Sequence, residues 1–210
     1  MRLALLTVIS LVVFAALNSS SFGQTVGFRY EALVGGQNSI SQVNVGDKFE
    51  LKVYAQDLRE LERGGVFAAY LDIEFDTAMV SVDGPIAYGD FYQYVQTGTV
   101  TDFGLANVGA VGFQAVESSI PGFTVPAPLG PDEFLVFSVP LQATMGGSLS
   151  FMGRPASDQF QNVVLVFGQN AGVDPTDVEF GSLAPFTVVP EPSSAVLLVL
   201  GSLVFIRRRH

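Results

Sequence analysis

Between Phe67 and Phe75 apolar and polar side chains alternate: Phe67, Ala69, Leu71, Ile73 and Phe75 share one phase, while Tyr70, Asp72 and Glu74 occupy the other. A period of two is that of a strand with one buried face. Phe49, Leu51 and Val53 alternate with Glu50, Lys52 and Tyr54 in the same way, and Leu135, Phe137, Val139 and Leu141 form a third inward set. Pro140, on the opposite phase of that third set, has no amide to donate and so predicts an edge position or a bulge. Further strands are expected at Val26 to Ala32, Met79 to Val82, Leu105 to Val116, Ser148 to Phe151, Val163 to Phe167 and Val178 to Val188. Gly35-Gly36, Gly64-Gly65, Asp83-Gly84-Pro85, Pro121-Gly122, Gly146-Gly147 and Asp174-Pro175 supply the turns between them. Asp57 to Arg63 reads as a short helix, and the proline-bearing stretch from Glu117 to Asp132 as a long loop. Many short strands without alternating helices predict an all-β fold, an antiparallel β-sandwich, built as one domain without internal repeats.

The pattern changes at both ends. Met1-Arg2, the apolar run Leu3 to Leu17 and the small polar residues Asn18 to Gln24 have the three parts of a secretory signal peptide, with cleavage expected after Gly23. The alternative is an uncleaved N-terminal anchor. At the other end Val189-Pro190-Glu191-Pro192 precedes an uncharged segment from Ser193 to Ile206 and the cations Arg207, Arg208 and Arg209. As a helix that segment would rise about 21 Å, short of a hydrocarbon core of about 30 Å, so it spans only with arginine snorkelling or a thinned bilayer. Pro190 and Pro192 disfavour helix before them and set its start near Ser193. The positive ends place Arg2 and the tail arginines in the cytoplasm and the chain between them outside. Residues 1–23, 24–188 and 189–210 are thus read as signal peptide, exported domain and membrane-directed tail.

Setting the ends aside changes the composition. Without Arg2 and the three tail arginines six of the ten cations remain, and without Glu191 nineteen of the twenty acids, so residues 24–188 carry a formal charge of −13. That charge, with scattered cations, excludes nucleic acid as a partner. Fifteen of the eighteen phenylalanines fall in this domain, which predicts an aromatic core. The chain has no cysteine, which removes thiol chemistry and disulfide support, and its one histidine, His210, lies beyond the tail arginines. A Ser-His-Asp system is therefore not expected in the domain.

Carboxylates remain as acid or base groups. Asp72 and Glu74, two apart on one strand face, would stand roughly 7 Å apart, within the range a glycosidase pair needs. The competing reading is the solvated side of a sheet. Asp72, Glu74 and Asp76 imitate the start of a calcium loop, but Thr77 and Asp83 stand where its glycine and glutamate belong. Calcium around Asp174 and Asp177 is a further candidate, against a simple turn at Pro175. No catalytic or metal-ligating set is assigned. The aromatic run Tyr88, Phe91, Tyr92 and Tyr94, interleaved with Asp90 and Gln93, is a candidate ligand-contact patch, against rings that close one end of the core.

The tail, with Pro190-Glu191-Pro192, the apolar segment from Ala195 to Ile206 and the cluster Arg207 to Arg209, resembles a PEP-CTERM sorting signal. That resemblance implies processing by an exosortase-type membrane peptidase, transient residence in the inner membrane and delivery to the cell surface or extracellular matrix. Val45 to Val53, with Gly46-Asp47-Lys48-Phe49, and Gly65 to Asp76 resemble the opening strands of a cohesin-like domain, and Leu141 to Phe151 is similar to a later strand pair. This implies a jelly-roll sandwich and binding of a protein or glycan. The expected function is that of an exported structural or adhesion protein, not an enzyme, whose partner is extracellular polysaccharide or another surface protein. The alternatives are a carbohydrate-binding or calcium-dependent module and a carboxylate-dependent glycoside hydrolase.

Overall fold

The computed structural model describes residues 24–35, 40–112, 114–117, 124–158, 163–169 and 171–190. The expected signal peptide and the tail from Glu191 onward lie outside them. Among the described residues no helix is long and apolar enough to cross a membrane.

Strands dominate, as the alternation requires. In chain order they are β1 (Val26–Leu33), β2 (Gln42–Asn44), β3 (Lys48–Asp57), β4 (Val66–Glu74), β5 (Val80–Val82), β6 (Ala87–Tyr88), β7 (Tyr92–Thr101) and β8 (Gly104–Gly112). Then follow β9 (Gln114–Glu117), β10 (Thr124–Ala127), β11 (Phe134–Ala143), β12 (Gly147–Pro155), β13 (Val164–Val166), β14 (Val178–Glu179) and β15 (Ser182–Val189). A first sheet has the order β14-β1-β3-β11-β5, with β6 also on β11; a second has β2-β15-β12-β4-β8-β7, with β13 also on β4. Pairing is antiparallel except for β1 with β14 and β15 with β2, two parallel contacts that the sequence pattern did not suggest. They arise because the C-terminal segment runs alongside β1 and then crosses to the other sheet.

The space between the sheets holds the core. Phe49 of β3 meets Phe151 of β12 and Phe186 of β15 edge-on at 6.3 and 5.8 Å, and Phe75 packs on Phe151 at 5.5 Å. Edge-to-face contact suits the ring quadrupoles, so these phenylalanines join the two sheets at one end. Leu51, Val53, Leu71, Ile73, Val108, Phe137 and Leu149 are fully buried beside them.

Register shifts correct several expected phases. Opposite Leu165 and Val166 the register on β4 slips, so Val66 turns into the core and Phe67 packs against Phe167 at its margin. In β11 the slip falls between Leu135 and Phe137; Leu135 pairs with Tyr54 on the outer face while Val136 and Phe137 are both buried. Pro140 is therefore not at the bulge. Its carbonyl accepts from the Asp83 amide, on the side where β11 has left β5 (Leu141 opposite Val82) and has not yet met β6 (Ser138 opposite Ala87), so no ladder donor is missed there.

Two further expectations fail. Asp57 to Arg63 is no helix: Asp57 ends β3, fully buried, and its carboxylate accepts from the Arg59, Gly64 and Gly65 amides at 3.2, 3.1 and 3.2 Å. The Arg59 guanidinium donates to it at 2.9 and 2.7 Å and also to the Phe167 carbonyl, so the loop folds around one buried carboxylate. A side chain that satisfies several amides competes directly with helical hydrogen bonding. The stretch Glu117 to Asp132 is likewise not all loop, since β10 returns along β9 with Thr124 opposite Glu117.

Candidate functional site

The aromatic run begins where the chain crosses from β6 in the first sheet to β7 in the second. Gly89 lies at that crossing, its amide donating to the Val136 carbonyl at 3.0 Å, and a side chain there would collide with the Leu135 carbonyl. The turn continues with the Tyr92 amide on the Gly89 carbonyl at 3.0 Å. The β7–β8 register then slips between Tyr92 and Tyr94, and this slip sets which ring goes where.

The four rings take different positions. Tyr92 is buried, its hydroxyl donating to the Val66 carbonyl at 2.9 Å, and burial pushes its phenol well above the ordinary range. Tyr88 lies edge-on to Phe137 at 6.3 Å and donates to the Gln96 carbonyl at 2.7 Å; burial pushes its phenol up to about 12. Phe91 meets Phe134 edge-on at 5.2 Å. Tyr94 is 68% exposed. Tyr88, Phe91 and Tyr92 are thus engaged in closing the side of the sandwich, and among the four Tyr94 is the ring presented to solvent.

Tyr94 belongs to a larger surface. On the outer face of the second sheet Tyr94 and Ala68 both stand opposite Val111, while Gln96 and Tyr70 both stand opposite Gly109. The Tyr70 ring lies over Gly109, where a Cβ would run into it, so the missing side chain lets the ring lie across the sheet. Burial raises the Tyr70 phenol. The Phe67–Phe167 pair, at 6.4 Å, borders the same face, and Met152 of β12 is exposed along it. This surface was not assembled from the sequence, because its residues come from β4, β7, β8 and β12 and the glycine that seats Tyr70 leaves no side-chain signal.

The carboxylate pair sits on this sheet but is otherwise engaged. Asp72 is buried and accepts from the Asn107 and Ser157 amides at 2.7 and 3.2 Å. Asn107, at φ 56°, in turn accepts from the Asp158 amide at 2.8 Å. Asp72 therefore ties a bulge of β8 to the segment after β12, and Glu74 pairs with Arg154 at 3.1 Å. Asp174 caps its own 3-10 turn, accepting from the Thr176 amide and hydroxyl at 2.9 and 2.7 Å, which lowers its pKa. Among the described residues no group of three or more histidine, cysteine or acidic side chains is arranged to hold a metal ion. Of the expected sorting residues, Val189 ends β15 opposite Asn44 and Pro190 follows it; Glu191, Pro192 and Arg207 to Arg209 lie outside the described residues.

No family model matches the chain, and no curated protein matches it. Solved structures do. A cohesin module from a family 33 glycoside hydrolase of Clostridium perfringens superposes with a TM-score of 0.50 at 14% identity, over 78% of this chain and 98% of that one. A type II cohesin domain from the cellulosome of Acetivibrio cellulolyticus gives 0.44 at 10% identity, over 78% and 94%. A third ScaC cohesin of the same organism, in complex with a dockerin, gives 0.42 at 12% identity, over 71% and 94%. The first of these establishes the architecture as a cohesin-like β-sandwich.

Proposed function

We propose that this chain is an exported, non-catalytic adhesion module that binds another surface protein through the outer face of β12, β4, β8 and β7. The observation that carries this reading is the outer-face surface on which the exposed Tyr94 stands beside the half-buried Tyr70 and Val111, with Tyr70 seated on Gly109, the Phe67–Phe167 pair at its margin and Met152 exposed farther along the same face, opposite Glu74. Large aromatic and thioether side chains on a rigid sheet form contact area at low entropic cost, the usual composition of a protein interface. The cohesin-like fold supports it by architecture alone. The two carboxylates that a hydrolase would need are committed to backbone amides and to an arginine, which favours binding over hydrolysis.

Sorting belongs to the same proposal. The tail is read as a PEP-CTERM signal processed by an exosortase-type peptidase after transient retention in the inner membrane, with release to the surface or matrix. Its support is the order of its three parts and the position of β15, which ends at Val189 immediately before the Pro-Glu-Pro element.

A glycan is the second reading, favoured by the exposed ring of Tyr94. Expression in a host with an active exosortase tests the whole scheme. The chain is expected outside the cell without residues 193–210, bound to a surface protein in a manner lost in Tyr94→Ala with the fold retained. Recovery of the intact tail by mass spectrometry would overturn the sorting reading. Undiminished attachment of Tyr94→Ala would overturn the surface assignment, and binding to polysaccharide alone would replace the protein partner by a glycan.

A further inference from the structure

The chain has two lysines, Lys48 and Lys52, and both stand on the outer phase of β3 with Glu50 between them. Residues two apart on a strand share a face at roughly 7 Å, so Glu50 has a lysine on either side. Across the first sheet Leu33 of β1 and Pro140 of β11 stand directly opposite Glu50, one on each flank. Asp83, which follows β5, donates its amide to the Pro140 carbonyl at 2.8 Å. These residues line a recess of about 430 Å³ that opens to solvent. That volume falls within the range of small-ligand sites, about 300–1,000 Å³. Leu33 takes the outer phase of β1 with Arg29 and Glu31 yet is buried, so it and the half-buried Pro140 supply apolar surface beside the charged groups.

Those charged groups are only partly engaged with one another. Lys48 pairs with Asp83 at 2.6 Å, and the Ser138 hydroxyl donates to one oxygen of Glu50 at 3.3 Å. Glu31 stands directly opposite Lys52 but is held by Arg29 at 2.6 Å. Lys52 is half-buried and makes no ion pair among the described residues. In a domain with a formal charge of −13, where Arg29, Lys48, Arg59 and Arg154 each hold a carboxylate, this leaves a cation with its hydrogen-bonding capacity unspent.

Donors and acceptors thus alternate around the recess as Lys52, Glu50, Lys48 and Asp83, two positive and two negative. A sugar hydroxyl both donates and accepts, and its bonds to charged groups are the stronger kind. The C–H face of a pyranose ring is apolar and suits Leu33 and Pro140. An anionic ligand would gain from the lysines but would meet Glu50, Asp83 and the field of an acidic domain.

We propose that this recess binds a neutral hexose unit of a polysaccharide, with Lys52 and Glu50 holding adjacent hydroxyls and the ring packed against Leu33 and Pro140. The site lies on the outer face of the first sheet, away from Tyr94, so one domain can hold a glycan on one side and a surface protein on the other.

Titration calorimetry of the full-length chain, kept in a detergent without a sugar headgroup, tests this. The probes are gluco-, manno- and galactohexaose in α- and β-linked forms, with hexagalacturonate as the anionic counterpart. A neutral hexasaccharide is expected to bind with an affinity that does not change between low and high salt. Glu50→Gln and Lys52→Met are each expected to weaken it about tenfold, and Tyr94→Ala to leave it unchanged. Retention of the fold is read from the urea midpoint of each variant, and Asp83→Asn, outside the strand, is a third variant expected to weaken binding. Absence of binding to every neutral probe would overturn the proposal. So would binding kept in Glu50→Gln and lost in Tyr94→Ala, which would move the glycan to the second sheet, or binding of hexagalacturonate alone that disappears at high salt. Attachment to a surface protein is read separately through Tyr94→Ala, so the failure of one assignment is distinguishable from the failure of the other.

Discussion

Asp57 shows how one side chain can organise a pole of the molecule. Burial alone would raise its pKa, but the Arg59 guanidinium and the Arg59 and Gly65 amides outweigh burial and hold the carboxyl below its ordinary value. A depressed folded pKa means that the unfolded chain takes up protons first as pH falls. The stabilisation is therefore complete above the ordinary carboxylate value of about 4 and is lost as the pH drops through the folded value. Asp57→Asn leaves the half-buried Arg59 without its counter-charge and is expected to cost about 3 kcal/mol. The melting temperature of the wild type should decline below about pH 4, and that of Asp57→Asn should start lower and decline less; parallel curves would sink the assignment. Tyr30 is the converse case. Its hydroxyl is buried against Gly153 with no partner among the described residues. Tyr30→Phe should therefore stabilise the domain, by about 1 kcal/mol, as a rise in the urea midpoint at unchanged slope.

At the scale of elements, the crossing from β6 to β7 depends on how closely Gly89 approaches β11. Gly89→Ala would drive a methyl group into the Leu135 carbonyl, and the displaced turn would pull Tyr92 from its bond to Val66. Equilibrium unfolding should show a loss of about 1–3 kcal/mol, the usual range for overpacking against a fixed backbone. The same crossing explains what the sequence could and could not reveal. β3 and β12 were legible because a buried face and a solvated face alternate along them. β7 was not, since it projects past the opposing sheet and both of its phases are largely exposed, leaving no hydrophobic period to read. The four aromatics are neighbours in sequence. Their separation into three closing rings and one presented ring follows from a register slip between distant strands, to which local pattern is blind. Asp57 to Arg63 misled for a related reason, as its alternating charges around Leu58 and Leu61 suit a helix, while the amides of Gly64 and Gly65 draw the carboxylate into a loop.

On the scale of the whole molecule, the strand order fixes where the chain enters and leaves. β1 starts with Val26 opposite Asp57 and ends with Leu33 opposite Glu50, while Val189 ends beside Asn44, its carbonyl accepting from the Val45 amide at 2.8 Å. Entry is thus at the Asp57 pole and exit at the opposite one, separated by the length of β1, about 27 Å for eight residues. A chain held by its C-terminal tail would present the Asp57 pole away from the membrane and the outer faces of the sheets sideways. β15 is the last element before that tail, and it is integral to the core rather than part of the linker. Its Phe186 stacks on Phe151 and meets Phe49 edge-on, and its backbone joins β12 to β2. Ending the chain after Val189 should leave the thermal unfolding of the domain unchanged while abolishing membrane association. Ending it after Gly181 removes Phe186 and Val188 from the core and uncovers the edge of β12. Loss of a single buried phenylalanine already costs about 3–5 kcal/mol, a large part of the stability of a typical domain. The shorter chain should therefore show no cooperative unfolding transition. A cooperative transition in that chain would place β15 with the sorting segment and move the domain boundary to the start of the strand.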